Sequence, residues 1–109
     1  MSLVIRPESK SDEETIGEIT RQAFANHPYS SHTEHFIVDA LREANALAIS
    51  LVAEQSGQVV GHIAFSPVTI SDGASGWFGL GPVSVLPSVQ KRGIGRALIE
   101  RGLSLLREY

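Results

Sequence analysis

The sequence predicts a layered α/β (αβα) fold with a mixed, mainly antiparallel sheet and elements in the order β-α-α-β-β-β-α. Two stretches of helical spacing follow a short first strand, and the pattern then changes to strands joined by a tight turn. A third strand leads through a glycine-containing loop into a last amphipathic helix. With 109 residues, we expect a single domain over residues 1–109.

The first strand and helix are marked by local signals. Leu3 to Arg6 is a short apolar run that Pro7 stops. Residues 11–14 (SDEE) fit a capping box, so we expect a helix over Asp12–Phe24. The residues that should form its buried stripe are Ile16, Ile19, Ala23 and Phe24.

A second helix should follow the polar loop at residues 26–30. Residues 31–34 (SHTE) again fit a capping box, and we expect the helix to end near Glu43. The predicted apolar stripe of this helix consists of Phe36, Ile37, Ala40 and Leu41.

The middle of the chain reads as strands. Leu47–Glu54 and Gln58–Ile70 flank the turn pair Ser56-Gly57, which predicts a β-hairpin. After a turn-rich loop at residues 71–76, a third strand should run over Trp77–Leu86. We expect the last helix to extend from about Arg92 to Tyr109.

Composition excludes several classes of function. The sequence contains no cysteine, so disulfides, thiolate metal sites and cysteine nucleophiles are excluded for these residues. No apolar run is long enough to span a bilayer and no signal pattern opens the chain, so we expect a cytoplasmic protein without membrane contact.

Charge is distributed unevenly along the chain. The net charge is −3, yet five basic residues from Lys91 onward face only two acidic ones. Such a basic segment on an acidic protein suits a small anionic ligand better than a nucleic acid. On charge alone, a solvated helix face is the favoured explanation. The five basic residues are Lys91, Arg92, Arg96, Arg101 and Arg107.

The segment Gln90-Lys91-Arg92-Gly93-Ile94-Gly95 combines three features of an anion site. The first amides of a helix lack intrahelical partners, and the helix dipole places partial positive charge there. Gly93 and Gly95 let an anion approach the backbone closely, while Lys91, Arg92 and Arg96 add full positive charges. A tight strand-to-helix turn is the alternative explanation of the glycines.

Residues 83–98 (VSVLPSVQKRGIGRAL) resemble the acetyl-CoA signature of GNAT-superfamily N-acetyltransferases. In that signature a hydrophobic strand and a proline precede Q/R-x-x-G-x-G/A at a helix start, which Gln90, Gly93 and Gly95 match. The element order is that of the superfamily's first half, in the acyl-CoA N-acyltransferase fold. Residues 5–7, 51–54 and 61–68 resemble its YhbS-like branch.

The resemblance implies a site for acetyl-CoA. Backbone groups of Val83, Ser84 and Val85 would pair with pantetheine as with an added strand. The amide of Val83 or Val85 would meet the thioester carbonyl and stabilise an oxyanion. The implied pyrophosphate site lies on the amides from Lys91 to Arg96, with Gln90, Lys91, Arg92, Gly93, Ile94, Gly95 and Arg96 as its residues. The acceptor would be an amine of a small molecule or peptide, attacking directly.

A complete member of the superfamily continues with a fifth strand, another helix and a final hairpin. The resemblance therefore implies a C-terminally truncated chain that ends at Tyr109 before the usual general-acid tyrosine. The strand Trp77–Leu86 would then be an exposed edge, and we expect it to pair in a homodimer or domain-swapped assembly.

Other residues carry alternative interpretations. His27, His32 and His35 cluster, but surface or capping roles fit them better than a metal site. His62 lies mid-strand, where packing or a hydrogen bond is favoured over a general base. Glu54 is a second candidate base, although a solvated carboxylate is favoured. Tyr29 is a less favoured candidate for acceptor contact, and Phe65, Trp77 and Phe78 are expected in the core.

Three functions remain open from the sequence. The first is acetyl-CoA-dependent N-acetyl transfer. The second is a non-catalytic acyl-CoA-binding module that keeps the pyrophosphate loop. The third is a dimerising remnant of an acetyltransferase that binds no ligand.

Overall fold

The structure, a computed structural model, describes residues 3–25, 34–43, 47–68 and 77–107. Its strands are β1 (Leu3–Pro7), β2 (Ile49–Gln55), β3 (Gln58–Val68) and β4 (Trp77–Val85). Its α-helices are α1 (Glu13–Phe24), α2 (Glu34–Glu43) and α3 (Ile94–Leu106), and 3-10 turns at Lys10–Asp12 and Pro87–Val89 precede α1 and α3. The predicted order of strands and α-helices is confirmed.

The four strands form one sheet in the order β1-β2-β3-β4. Every neighbouring pair is antiparallel, so the sheet is antiparallel throughout the described strands, where the sequence suggested a mixed one. The β2–β3 turn has positive φ at Ser56 (53°) and Gly57 (80°), as a two-residue turn of type I′ requires. The predicted hairpin is confirmed.

Helices cover both faces of the sheet, which confirms the αβα layers. On one face α3 packs over a core made of Ile49, Leu51, Ala53, Val60, Ile63, Phe65, Ile94 and Leu98. On the other face α1 and α2 enclose a smaller cluster of Ile16, Val38 and Val52. Phe65 is buried, as expected, whereas the side chains of Trp77 and Phe78 lie outside the described residues.

Two glycines allow α3 to lie close to the sheet. A Cβ at Gly61 would come within 3.2 Å of the Leu98 side chain. A Cβ at Gly102 would lie 2.2 Å from the ring of Phe65, which is buried. These contacts fix the height of α3 above β3, and through it the position of the helix start.

The start of α1 differs from the prediction. The capping interaction joins Ser9 to Asp12, since the Ser9 amide donates to the Asp12 carboxylate at 2.7 Å. Ser11, the predicted cap, instead shares a hydrogen bond with the Ser9 hydroxyl. Arg6 explains the change, because it holds the Asp12 carboxylate at 2.8 Å and so places it beneath the Ser9 amide.

Smaller corrections concern α2 and the element ends. Val38 is buried in α2 and Ala40 is exposed, so the predicted stripe is wrong at Ala40. The helix after β4 begins at Ile94 and not near Arg92, because Gly93 is left-handed. The second capping box, residues 69–76 and Tyr109 lie outside the described residues. No α-helix in the described ranges is long and apolar enough to cross a membrane.

Candidate functional site

Strand β4 is an edge of the sheet and carries an irregularity near its middle. Within the described part of the chain it pairs only with β3. Ile63 lies opposite Val83 and Phe65 opposite Leu80, so three steps on β4 match two on β3. The extra residue lies at Gly81-Pro82, whose peptide bond is cis and where Gly81 has a φ of 125°. This bulge changes the course of the edge just before Val83.

The backbone groups of β4 that point away from the sheet can be identified from the ladder. The Leu86 amide donates to the Val60 carbonyl at 2.9 Å, so the backbone of Leu86 faces β3. Because successive residues of a strand turn their backbone groups to opposite sides, Ser84 also faces β3. The amides and carbonyls of Val83 and Val85 therefore point to the open edge.

Ser84 differs from its two neighbours in its side chain as well. Its side chain is fully buried against α1, where the hydroxyl donates to Thr20 Oγ1 at 3.3 Å. Thr20 in turn donates to the Ile16 carbonyl at 2.8 Å. Ser84 therefore ties the edge strand to α1. The contribution of Ser84 backbone groups to ligand binding stays a prediction.

The loop after β4 brings a helix start to the same edge. After the 3-10 turn at Pro87–Val89, Lys91 has a φ of 65° and Gly93 a φ of 83°. Glycine adopts this left-handed conformation without the strain that a Cβ adds, which explains the choice of glycine at position 93. A Cβ at Gly95 would lie 3.8 Å from the Val85 side chain and 3.9 Å from that of Val83. The first turn of α3 is thus positioned directly over the outward-facing part of β4.

The electrostatics of the helix start favour an anion. The Ala97 amide makes the first helical bond, to Gly93 O at 3.0 Å, so the amides before it point into the space ahead of the helix. Lys91 and Arg92 are exposed, and neither forms an ion pair within the described ranges. Arg96 is also exposed and pairs with Glu100 at 2.9 Å. The full charges of Lys91, Arg92 and Arg96 therefore lie near the partial positive charge at the start of α3, which favours binding of an anion.

Gln90 connects the loop to the strand. Its side-chain amide donates to the Val85 carbonyl at 2.9 Å, one of the groups at the open edge. The sequence motif identified Gln90 but not this contact, since a side chain reaching back five residues leaves no periodic signal. The structure thus brings the predicted β4 residues and the predicted loop residues together on one edge.

His62 is the buried end of a polar chain on the α1 side of the sheet. It is fully buried, and its Nε2 lies 2.7 Å from Ser50 Oγ, which confirms the favoured interpretation of a hydrogen-bonded strand histidine. Ser50 donates to the Glu8 carboxylate, which Arg42 holds at 3.0 Å. Because that carboxylate only accepts, Ser50 must accept from His62 Nε2–H.

This arrangement fixes the state of His62. Its Nδ1 is left as a buried acceptor without a donor among the described residues. Burial lowers the pKa of His62 from 6.5 to about 4. The negative charge of Glu8 opposes this shift, and the positive charge of Arg42, which has a smaller effect, adds to it. A neutral, enclosed imidazole is poorly placed to take a proton from a substrate at the open edge of β4.

The other candidates are engaged or lie outside the description. Glu54 is held by Arg6 at 3.0 Å, and the same guanidinium binds Asp12 and keeps the pKa of Asp12 well below its ordinary value. His27, Tyr29, His32 and the His35 side chain lie outside the described residues. Among those described, no group of three potential ligands could hold a metal ion.

Comparison with known proteins gives a consistent picture. The sequence pattern of the Acetyltransferase (GNAT) family matches residues 13–109. The chain is 34% identical over 108 residues to the uncharacterized N-acetyltransferase YhbS of Escherichia coli strain K12, covering 98% of the chain and 62% of the relative. It is 33% identical to YjhQ of the same strain over 90% of the chain and 54% of that relative. The chain thus spans less than two thirds of the length of these relatives.

Two solved structures are similar along nearly the whole chain. One is a GNAT family acetyltransferase from Brucella melitensis in complex with acetyl-CoA, with a TM-score of 0.95 and 54% identity over 98% of this chain and 70% of that chain. The other is YhbS from Escherichia coli in complex with CoA, with a TM-score of 0.86 and 34% identity over 97% of this chain and 57% of that chain.

Proposed function

Because the chain belongs to the GNAT acetyltransferase family, we propose that it binds acetyl-CoA along the open edge of β4 and transfers the acetyl group to an amine. One observation carries this proposal: the outward backbone of Val83 and Val85 lies beside a glycine-containing helix start. The acetyl-CoA and CoA complexes of the two similar structures support it.

The chemistry of the residues fits each part of this ligand. An extended pantetheine with amide groups can pair with the outward-facing amides and carbonyls of Val83 and Val85 as an added strand does. Phosphates suit the amides at the start of α3 and the charges of Lys91 and Arg92. The glycine at 95 keeps side-chain atoms away from the ligand where the two parts meet.

The reaction requires an amine nitrogen to attack the thioester carbonyl, so that a C–N bond forms and the C–S bond breaks. Coenzyme A leaves as the thiolate with the C–S electron pair, and the amine loses one proton, so that the products are an amide and the free thiol. An outward amide, that of Val83 or Val85, would donate to the carbonyl oxygen as negative charge develops there. The main contribution of the chain is to hold the acyl donor in one orientation beside the acceptor. We assign neither a general base nor a general acid.

Binding is tested by calorimetric titration of the 109-residue chain with acetyl-CoA, compared with Gly95→Glu. A carboxylate at 95 places negative charge where the phosphates would lie, and we expect affinity to fall at least about tenfold. Ser104→Glu is the matched control, because it adds the same charge at an exposed position of the same helix and should leave binding unchanged. Gly93→Glu should also weaken binding, although its positive φ adds strain to the fold.

A non-catalytic acyl-CoA-binding module is the second candidate. The engagement of Glu54 by Arg6 and the enclosure of His62 favour it, because they remove both candidate bases in the described ranges. Release of free thiol from acetyl-CoA in the presence of amines separates the two functions. Turnover that depends on the amine supports transfer, whereas binding without amine-dependent thiol release supports the module. Repeating the thiol-release assay with different amines would identify the acceptor.

Homodimerisation and a cytoplasmic location remain predictions of the sequence. A second chain pairing with β4 would use the same Val83 and Val85 groups as pantetheine, so dimerisation and binding should compete. Sedimentation at micromolar concentration tests this, and a monomer in the absence of acetyl-CoA would contradict the dimer.

A further inference from the structure

The Gln90 side chain covers one of the backbone groups that the proposed ligand needs. Its Nε2 donates to the Val85 carbonyl at 2.9 Å. That carbonyl points to the open edge, because the neighbouring Leu86 amide donates to β3. In this structure the acceptor at the end of the β4 edge is therefore already satisfied from within the chain.

The local backbone explains how Gln90 reaches this position. The 3-10 turn at Pro87–Val89 reverses the chain after β4, and the Gln90 amide donates to the Pro87 carbonyl at 3.5 Å. Lys91 then turns into the left-handed region, which directs the following residues toward α3. The side chain of Gln90 is left at the junction between the strand edge and the helix start.

We propose that the Gln90 side chain acts as a latch on the open edge of β4. It occupies the Val85 carbonyl in the free protein and must release it when a pantetheine amide pairs there. This rests on the proposed function, since it concerns the same edge. The latch keeps the loop folded against β4 in the free protein and lowers the affinity for ligands that carry pantetheine. Ligands that occupy only the phosphate site leave it closed.

Displacing the Gln90 side chain should lower the affinity of the ligand by a defined factor. Opening it exchanges one exposed, neutral hydrogen bond for a bond to the ligand, so the latch should weaken binding by about two- to tenfold. Removing the donor without changing side-chain size should recover that factor for a pantetheine-containing ligand. The affinity for the nucleotide part alone serves as the reference, because that ligand cannot displace Gln90 from the Val85 carbonyl.

The test compares coenzyme A with adenosine 3′-phosphate 5′-diphosphate, its nucleotide part without pantetheine, by calorimetric titration. Gln90→Met keeps the length of the side chain and removes the donor, and Gln90→Ala removes both. The exposed neighbour Ser88→Ala is the control. We expect both Gln90 variants to raise the ratio of coenzyme A affinity to nucleotide affinity about two- to tenfold, and the Ser88 control to leave this ratio unchanged.

Two results would overturn the latch. Unchanged affinity for both ligands would mean that the Val85 carbonyl accepts both donors at once. A parallel loss of affinity for both ligands would mean that Gln90 only supports the phosphate loop. In either case the unsubstituted chain would still bind coenzyme A. Failure of the proposed function would differ, because coenzyme A would then not bind the unsubstituted chain at all.

Discussion

Gly102 in α3 provides the most direct test of the packing that positions the helix. Replacing it with alanine adds a Cβ at 2.2 Å from Phe65 Cε1 and 2.7 Å from Cζ. Carbon atoms in contact lie roughly 3.5–4.0 Å apart, so the ring or the helix must move by more than an ångström. Phe65 is 1% exposed and packs in the core on the α3 side of the sheet.

The expected magnitude combines two opposing effects. Alanine is favoured over glycine in a helix interior by about 1 kcal/mol. Overpacking of a filled core costs about 1–3 kcal/mol and more when backbone must shift. Because this overlap is severe, we expect the free energy of unfolding to fall by about 1–3 kcal/mol net, which lowers the melting temperature by about 5–15 °C.

Gly17→Ala is the matched control. Gly17 also lies inside a helix, α1, but a Cβ there would meet nothing within 4 Å. The propensity gain then acts alone, and stability should rise by up to about 1 kcal/mol. Thermal unfolding followed by circular dichroism measures both variants. If Gly102→Ala is as stable as the unsubstituted chain, or if both variants shift the same way, the close packing of α3 on Phe65 is wrong.

Three further outcomes are expected. Gly93→Ala should lose about 1–2 kcal/mol in urea unfolding because its φ is +83°, whereas Gly95→Ala should lose nothing because its Cβ has room; equal effects would contradict the distinct roles. Since the pKa of His62 falls from 6.5 to about 4 on folding, its contribution to stability is present above pH 6.5 and is lost as pH falls toward 4, by up to about 3 kcal/mol. His62→Gln should flatten that part of the stability–pH profile, and an unchanged slope would refute the assignment. Because Arg6 lowers the pKa of Asp12, stability should fall again below about pH 4, and Asp12→Asn should remove that step and cost about 1–3 kcal/mol at neutral pH.

The sequence predicts the order of elements because each has a local cause. The apolar spacing of α1 and α3, the Ser56-Gly57 turn and the glycine pattern at 93 and 95 all act over a few residues. Local signals of this kind are visible without tertiary information. The predicted loop and strand accordingly lie together on the β4 edge.

The remaining features depend on contacts between distant parts of the chain. Ser9-Lys10-Ser11-Asp12 also fits a capping box, but Ser9 replaces Ser11 as the cap because Arg6, which also binds the distant Glu54, holds Asp12. The polar chain that ends at His62 needs Glu8 and Arg42, which are 34 residues apart in the sequence. The role of such a polar residue depends on its contacts in the folded chain, which the sequence pattern does not show.

The direction of the β4 backbone is a third such feature. Strand spacing shows that residues alternate, but only the bond from Leu86 to Val60 shows which of them face outward. The prediction from family resemblance therefore treated Val83, Ser84 and Val85 alike, whereas the ladder separates Ser84 from its neighbours.

That separation allows the central claim to be tested in one experiment. Backbone amide signals of the isotopically labelled 109-residue chain are recorded by NMR as acetyl-CoA is added. We predict that acetyl-CoA shifts the signals of Val83, Val85, Gly93 and Gly95 and slows hydrogen exchange of the Val83 and Val85 amides, whereas the Ser84 amide, which faces β3, exchanges slowly with or without the ligand. Signals of β4 that do not respond, or unchanged exchange at Val83 and Val85, would contradict binding at this edge.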